Sequence, residues 1–171
     1  MHITPARNHN LYLAPLTVDN GKEICIWRYE APYDIYNWDT WETMFDAAYE
    51  FADPVIRKEQ YYGVFAHSGE WASANRLLGF AQLFPMAGIT RLGLGLRPDL
   101  CGLGIGAAFV KAIVEAAIVQ APANQVDLEV LVWNTRAYKA YEQAGFVYEQ
   151  TYERMTPAGK AAFHVMVYKP Q

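Results

Sequence analysis

From Leu96 to Gly106 the chain reads Leu-Arg-Pro-Asp-Leu-Cys-Gly-Leu-Gly-Ile-Gly, and this glycine-rich stretch leads into its most strongly patterned helical segment. Downstream, Phe109, Val110, Ile113, Val114, Ala117 and Ile118 recur at helical spacing within Gly104 to Val119, and Pro122 stops the run. Upstream, Thr90 to Arg97 has strand character. A helix that begins on glycines exposes unpaired N–H groups and the positive end of its dipole, with no Cβ atoms to keep an anion away. The junction is therefore expected to hold a pyrophosphate. Taken alone, Gly-x-Gly-x-Gly suits a tight strand-to-helix turn equally well.

The remaining pattern predicts a mixed α+β sheet with helices against its faces. Ile24 to Tyr29 reads as a first strand, and Asp34 to Ala52 as a helix, whole or broken in two, that Pro54 stops. Tyr61 to His67, Leu77 to Phe84 and Thr90 to Arg97 form an expected antiparallel meander. After the central helix come a strand from Asp127 to Trp133, a helix from Thr135 to Ala144 closed by Gly145, and strands at Phe146 to Glu153 and Phe163 to Lys169.

With 171 residues, 53% of them apolar, and no repeat or linker, a single domain over 1–171 is expected. A net charge of −4 without a basic stripe argues against nucleic acid as a partner. Met1 to Asn10 lacks the apolar core of a signal peptide and no segment reads as a membrane span, so a cytoplasmic protein without membrane partners is expected. Cys25 and Cys101 are read as free thiols. His67 and His164 have no partners at ligand spacing, and no metal is expected.

Two nucleotide motifs compete for the glycines. Gly102, Gly104 and Ala107 satisfy the relaxed dinucleotide pattern Gly-x-Gly-x-x-Ala, with Asp127 and Glu129 at a distance suited to a ribose, which would make the protein an oxidoreductase. That pattern normally opens a fold with several βα units behind it, whereas here it lies past mid-chain. A P-loop is excluded because no Gly-Lys-Ser/Thr follows.

A second stretch, Asn134 to Phe146, reads Asn-Thr-Arg-Ala-Tyr-Lys-Ala-Tyr-Glu-Gln-Ala-Gly-Phe. Together the two stretches resemble the GNAT superfamily of acyl-CoA N-acetyltransferases. The first resembles its Arg/Gln-x-x-Gly-x-Gly/Ala loop at Gly104 and Gly106. The second resembles its Asn-x-x-Ala-x-x-x-Tyr-Glu-x-x-Gly-Phe signature at Asn134, Ala137, Tyr141, Glu142, Gly145 and Phe146. Cys101 departs from the pattern, standing where the loop usually carries Arg or Gln. The stretch Trp27 to Asn37 resembles the opening of a little-characterised bacterial subgroup of the same family.

The resemblance implies a mostly antiparallel sheet of six to seven strands with a parallel pair splayed at the cofactor site. It implies acetyl-CoA as co-substrate and direct transfer, in a ternary complex, to a small-molecule amine or a peptide N-terminus. By analogy it also allows a homodimer. The implied cofactor contacts are Leu94, Leu96, Arg97, Gly102, Leu103, Gly104, Ile105, Gly106, Ala107, Asn134, Arg136 and Tyr141. Backbone N–H groups of Leu92 to Leu96 would stabilise the oxyanion, with Gly93 and Gly95 marking a bulge.

An attacking amine must be neutral, so a base is expected, and the resemblance puts Glu129 there, ahead of Glu30 and Glu70. The plain alternative for Glu129 is a salt-bridged strand carboxylate. Tyr141 would protonate the leaving thiolate, its plain alternative being a core tyrosine. No basic residue lies between Arg28 and Arg57, and the resemblance, which implies that the first helices line the acceptor cleft, makes Glu30, Tyr33, Tyr36 and Trp38 of this acidic, aromatic stretch the expected acceptor contacts. A solvated polar face explains the same carboxylates. An acyl-CoA sensor without turnover is the remaining alternative function.

Overall fold

The computed structural model describes residues 10–72 and 75–170. The expectation placed on Met1 to Asn10 thus falls almost wholly outside the described residues. Seven strands form one sheet in the order β1-β2-β3-β4-β5-β7-β6. They are β1 Leu11–Pro15, β2 Tyr61–Ala66, β3 Gly79–Met86, β4 Ile89–Leu96, β5 Gln125–Leu131, β6 Phe146–Thr156 and β7 Gly159–Tyr168. Every neighbouring pair is antiparallel except β4 and β5. The mixed sheet with one parallel pair is the expected architecture.

The two largest of three buried clusters cover the two faces, as the alternation of side chains along a strand requires. On one face α4, Gly106–Gln120, lays Phe109, Val110, Ile113, Val114 and Ala117 against Val64, Ala81, Leu92, Leu128 and Met166. On the other, α1 (Val18–Ile26), α2 (Trp41–Asp46) and neighbouring turns bury Ile24, Cys25, Met44 and Phe51 against Tyr61, Phe65 and Phe80. The last two helices are α3, Pro54–Gln60, and α5, Thr135–Ala144.

The first third of the chain departs from the sequence reading. Ile24 to Tyr29 is no strand, because Ile24 and Cys25 belong to α1. Thr17 caps that helix: its hydroxyl accepts from Asn20 N–H at 3.1 Å while the Asn20 side chain accepts from Thr17 N–H at 3.2 Å. Of the residues that suggested a strand, Ile24, Cys25 and Trp27 fill the aromatic core, while Ile26 is exposed. The true first strand, Leu11–Pro15, pairs with β2 along the sheet edge, where Pro15 is tolerated at the end.

Asp34 to Ala52 breaks into a 3-10 turn at Tyr33–Tyr36, α2, and a second 3-10 turn at Glu50–Ala52. Pro54 starts a helix instead of stopping one: it occupies the first turn of α3, and the Asp53 carboxylate accepts from Val55 and Ile56 N–H at 2.8 and 3.0 Å. Gly93 and Gly95 mark no bulge either, since β3 and β4 pair without interruption from Gly79–Leu96 to Met86–Ile89. Gly95 instead makes room for a ring, because a Cβ there would lie 2.3 Å from Phe80.

Candidate active site

The parallel pairing of β4 with β5 runs from Ile89–Gln125 to Leu92–Leu128 and ends there. Beyond it both strands continue, to Leu96 and Leu131, without a shared ladder. The backbone direction follows from one bond: Arg97 N–H donates to the Leu78 carbonyl at 2.8 Å, so odd-numbered residues of this segment point their polar backbone groups at β3. Leu94 and Leu96 therefore point theirs into the gap left by β5. The Tyr29 hydroxyl already uses that edge, donating to the Leu96 carbonyl at 2.6 Å.

At the end of β4 the chain turns through the glycine loop. Gly102 and Gly104 have φ of +79° and +81°, a left-handed backbone that glycine adopts without strain, and a Cβ at either would meet nothing within 4 Å. Their role is conformational. The turn leaves the N–H groups of Gly102 through Ala108 without a hydrogen bond to any described residue, ahead of the fifteen-residue helix α4. Open donors, a helix dipole and empty space above them fit a diphosphate. Ile105 anchors the loop with a fully buried side chain, while Leu103 is exposed.

Arg97, read from the sequence as a cofactor contact, has partners of its own. Its guanidinium bonds the Glu23 carboxylate at 2.9 Å, Asp99 at 3.1 Å and the Leu77 carbonyl at 3.1 Å, which ties it to the fold away from the cleft. Cys101 turns its thiol toward the Leu96 and Arg97 carbonyls, and burial raises its pKa, so it replaces a cationic loop residue with a neutral one. Arg136 lies on the other side of the same region, its guanidinium 3.8 Å from the centre of the Tyr33 ring and close enough to Cys101 and Tyr29 to favour their charged forms. No described carboxylate pairs with it at salt-bridge distance.

One cavity of ≈ 760 Å³ joins the splay, the inner edge of the glycine loop at Gly102 and Gly106, and the aromatic segment Tyr33 to Trp38. Tyr141 lines it from α5. Burial, and then the neighbouring Tyr36, push its pKa well above the usual phenol range, and its hydroxyl has no hydrogen-bond partner among the described residues. This is a protonated donor facing open space. Asn134 has both ends of its amide engaged: its oxygen caps α5 by accepting from Ala137 N–H at 3.2 Å, and its nitrogen donates to the Tyr36 hydroxyl at 3.0 Å. Its visible work is to fasten the aromatic segment to α5.

Glu129 also lines the cavity, in the engaged state named as its alternative. Arg91 reaches its Oε1 at 2.7 Å, the Tyr152 hydroxyl donates to the same oxygen, and Arg154 reaches Oε2 at 3.3 Å. Register causes this, because Arg91 stands beside Asp127 in the parallel ladder and grips it with two bonds of 3.0 and 2.9 Å. Glu129, two residues on, faces the same side of the sheet. The ribose role considered for Asp127 and Glu129 belongs to a doubly wound parallel sheet, whereas this sheet is mixed, with β4–β5 its one parallel pair.

Tyr33, Tyr36 and Trp38, read from the sequence as acceptor contacts, line the cavity. Glu30 does not; it is exposed in the turn before the aromatic segment. Glu70, His67 and His164 are likewise absent from the cavity wall. Sequence reasoning missed Tyr29, Tyr61, Gln82 and Glu50, which the fold brings to the same wall. Only the acidic run around Glu50 hinted at any of them.

Tyr29, Tyr61 and Tyr141 all have pKa values pushed above the normal phenol value near 10, with burial the largest cause in each case. Below pH about 10 the phenols are protonated in both the folded and the unfolded chain. Above it the unfolded chain releases protons that the folded one keeps, so stability falls by up to ~1.4 kcal/mol per pH unit for each such phenol. Urea midpoints should therefore drop more steeply between about pH 10 and pH 11.5 than between about pH 8 and pH 9.5. Equal slopes in the two windows would show that these phenols ionise in place.

Comparison with known proteins agrees with this geometry. A model of the Acetyltransferase (GNAT) family matches residues 24–146. Among solved structures, a spermidine N-acetyltransferase chimera from Vibrio cholerae and hSSAT is similar with a TM-score of 0.72 at 16% identity, over 93% of this chain and 95% of that one. An acetyltransferase of the GNAT family from Bacillus anthracis gives 0.70 at 12% identity, over 92% and 93%. The aminoglycoside acetyltransferase AAC(6')-Ib, in complex with coenzyme A, gives 0.65 at 19% identity, over 92% and 95%. At these identities the structural likeness is one of fold.

Proposed function

The chain belongs to the GNAT family of acetyltransferases, and from that premise we propose that it transfers the acetyl group of acetyl-CoA to a primary amine by direct attack in a ternary complex. The amine is carried by a small molecule or a protein N-terminus. One observation carries the reading: the open N–H groups of the glycine loop and the unpaired edge of β4 lead into the cavity that Tyr141 lines.

In this reading the diphosphate sits on the N–H groups from Gly102 to Ala107, and Arg136 supplies the cation that Cys101 does not. The pantetheine arm pairs with the backbone of Leu94 and Leu96, in the place of the strand partner that ends at Leu128. A carbonyl placed by that pairing has a backbone N–H of the splay as its oxyanion donor. The neutral amine nitrogen forms the new C–N bond, the C–S bond breaks, and Tyr141 gives its proton to the departing thiolate. Glu129 takes the proton lost by the amine, directly or through water, on Oε2, the oxygen with the single longer contact.

The test is a thermal-shift titration followed by thiol release. Acetyl-CoA at about 100 times its dissociation constant should stabilise the protein by about 2.7 kcal/mol, and NAD(P) should not. Thiol release should appear with amines and fall about 10²-fold in Glu129→Gln. Stabilisation by NAD(P) alone would overturn the cofactor assignment. Binding without release on any amine would favour the sensor, and release by Glu129→Gln at the wild-type rate would remove Glu129 from the mechanism.

A further inference from the structure

Between α2 and the 3-10 turn Glu50–Ala52 the backbone takes an unusual path. Ala48 and Glu50 have φ of +49° and +48°, a left-handed conformation that side chains other than glycine adopt at a cost of about 1–2 kcal/mol each. The path carries the Glu50 side chain to the cavity wall. There Oε2 accepts from the Tyr61 hydroxyl and from Gln82 Nε2 at 3.4 Å, and Gln82 is itself steadied by the Gln60 side chain at 2.7 Å. Oε1 has no hydrogen-bond partner among the described residues, and no described Lys or Arg forms a salt bridge with this carboxylate. A half-buried carboxylate so fixed lacks only a cation.

Aromatic rings share the cavity with this carboxylate. Trp38, Tyr49 and Phe80 line the same cavity, with the Trp38 ring 6.4 Å from Tyr49 and 6.1 Å from Phe80. Such faces favour an ammonium and the apolar group that bears it. The other inner carboxylate, Glu129, is already matched by Arg91 and Arg154, and Asp39 is exposed. Of the described carboxylates that line the cavity, Glu50 is thus the one that is both part-buried and without a salt bridge, which suits a single cationic centre held there.

The position also suits transfer. Gln82, which holds Glu50, stands directly opposite Gly93 and so close that a Cβ on Gly93 would lie 3.2 Å from its Oε1. Gly93 is the first residue beyond the last β4–β5 pair, where the splay opens.

We propose that Glu50 is the acceptor-binding carboxylate, its Oε1 taking the ammonium of a monocationic primary amine whose apolar or aryl body lies against Trp38, Tyr49 and Phe80; the ammonium gives one proton to water in the cleft before the neutral amine attacks. This rests on the acetyltransferase reading and narrows its substrate class. The strain at Glu50 is the cost of aiming an acid into an aromatic wall.

Calorimetric titration of the coenzyme A complex with three probes tests it: 2-phenylethylamine, the uncharged 2-phenylethanol, and spermidine. The wild type should bind 2-phenylethylamine about tenfold or more tightly than either of the others. Glu50→Gln should lose about tenfold or more of that amine affinity and leave 2-phenylethanol unaffected. Glu50→Gly, which suits the left-handed backbone, should behave alike, and unchanged coenzyme A affinity in both variants shows that they are folded. Amine affinity that survives both substitutions, tighter binding of spermidine, or a coenzyme A complex that takes no amine would each overturn the proposal. If coenzyme A itself does not bind the wild type, the acetyltransferase reading falls, and the same amine titration on the free protein still decides the Glu50 site.

Discussion

Replacing Gly104 with valine should abolish measurable coenzyme A binding while the protein stays folded. At φ +81° a β-branched residue is a severe backbone outlier, yet its Cβ would meet no neighbour within 4 Å, so packing has nothing to lose. The loop answers by moving Gly104 toward negative φ, and that turns the N–H groups between Gly102 and Ala107 away from their common focus. Loss of a convergent set of donors to a diphosphate should weaken binding by 10²-fold or more, about 2.7 kcal/mol. The cost to the apo fold should be about 1–2 kcal/mol, the local penalty of a left-handed non-glycine residue. Calorimetry with coenzyme A, beside a urea titration of the free protein, measures both. Wild-type affinity in a folded Gly104→Val protein would mean that the phosphates bind elsewhere.

The second large effect is expected at Tyr141. Its hydroxyl has no partner among the described residues, so Tyr141→Phe leaves no orphaned group behind and should change stability by less than about 1 kcal/mol. If the hydroxyl protonates the leaving thiolate, kcat should fall about 10²-fold, with acetyl-CoA affinity within a factor of about two. Tyr141 packs edge-on against Phe146 at 6.1 Å, a contact that phenylalanine keeps. A core tyrosine would give the opposite pattern, with turnover preserved. Steady-state thiol release and direct binding of acetyl-CoA separate the two.

Much of this was written in local sequence. The helix α5 begins after Asn134 and closes on Gly145 at φ +109°, as expected, and α4 buries its apolar stripe where the spacing put it except at Ile118, which is exposed. The glycine loop was legible because left-handed turns favour glycine. The first third was not. Helix α1 is only nine residues long and buries just Gly21, Ile24 and Cys25, so its period was too brief to tell from a strand, although Thr17 and Asn20 carried a capping signal. The long helix expected over Asp34 to Ala52 failed because only Trp38 and Trp41 of its apolar stripe pack on the core, while Ile35, Phe45 and Tyr49 are exposed and Ala48 and Glu50 take left-handed backbone angles that break the run.

The sequence alone thus determined the elements that depend on short-range forces: periodic burial, caps, and backbone angles open only to glycine. Tertiary structure decided which charges are satisfied. Arg91 and Glu129 are 38 residues apart, Gln82 and Glu50 32, and Asn134 and Tyr36 98. Whether a carboxylate is neutralised like Glu129 or left waiting like Glu50 depends on strand register and on which faces close over it. Those are properties of distant segments meeting, and no local pattern encodes them.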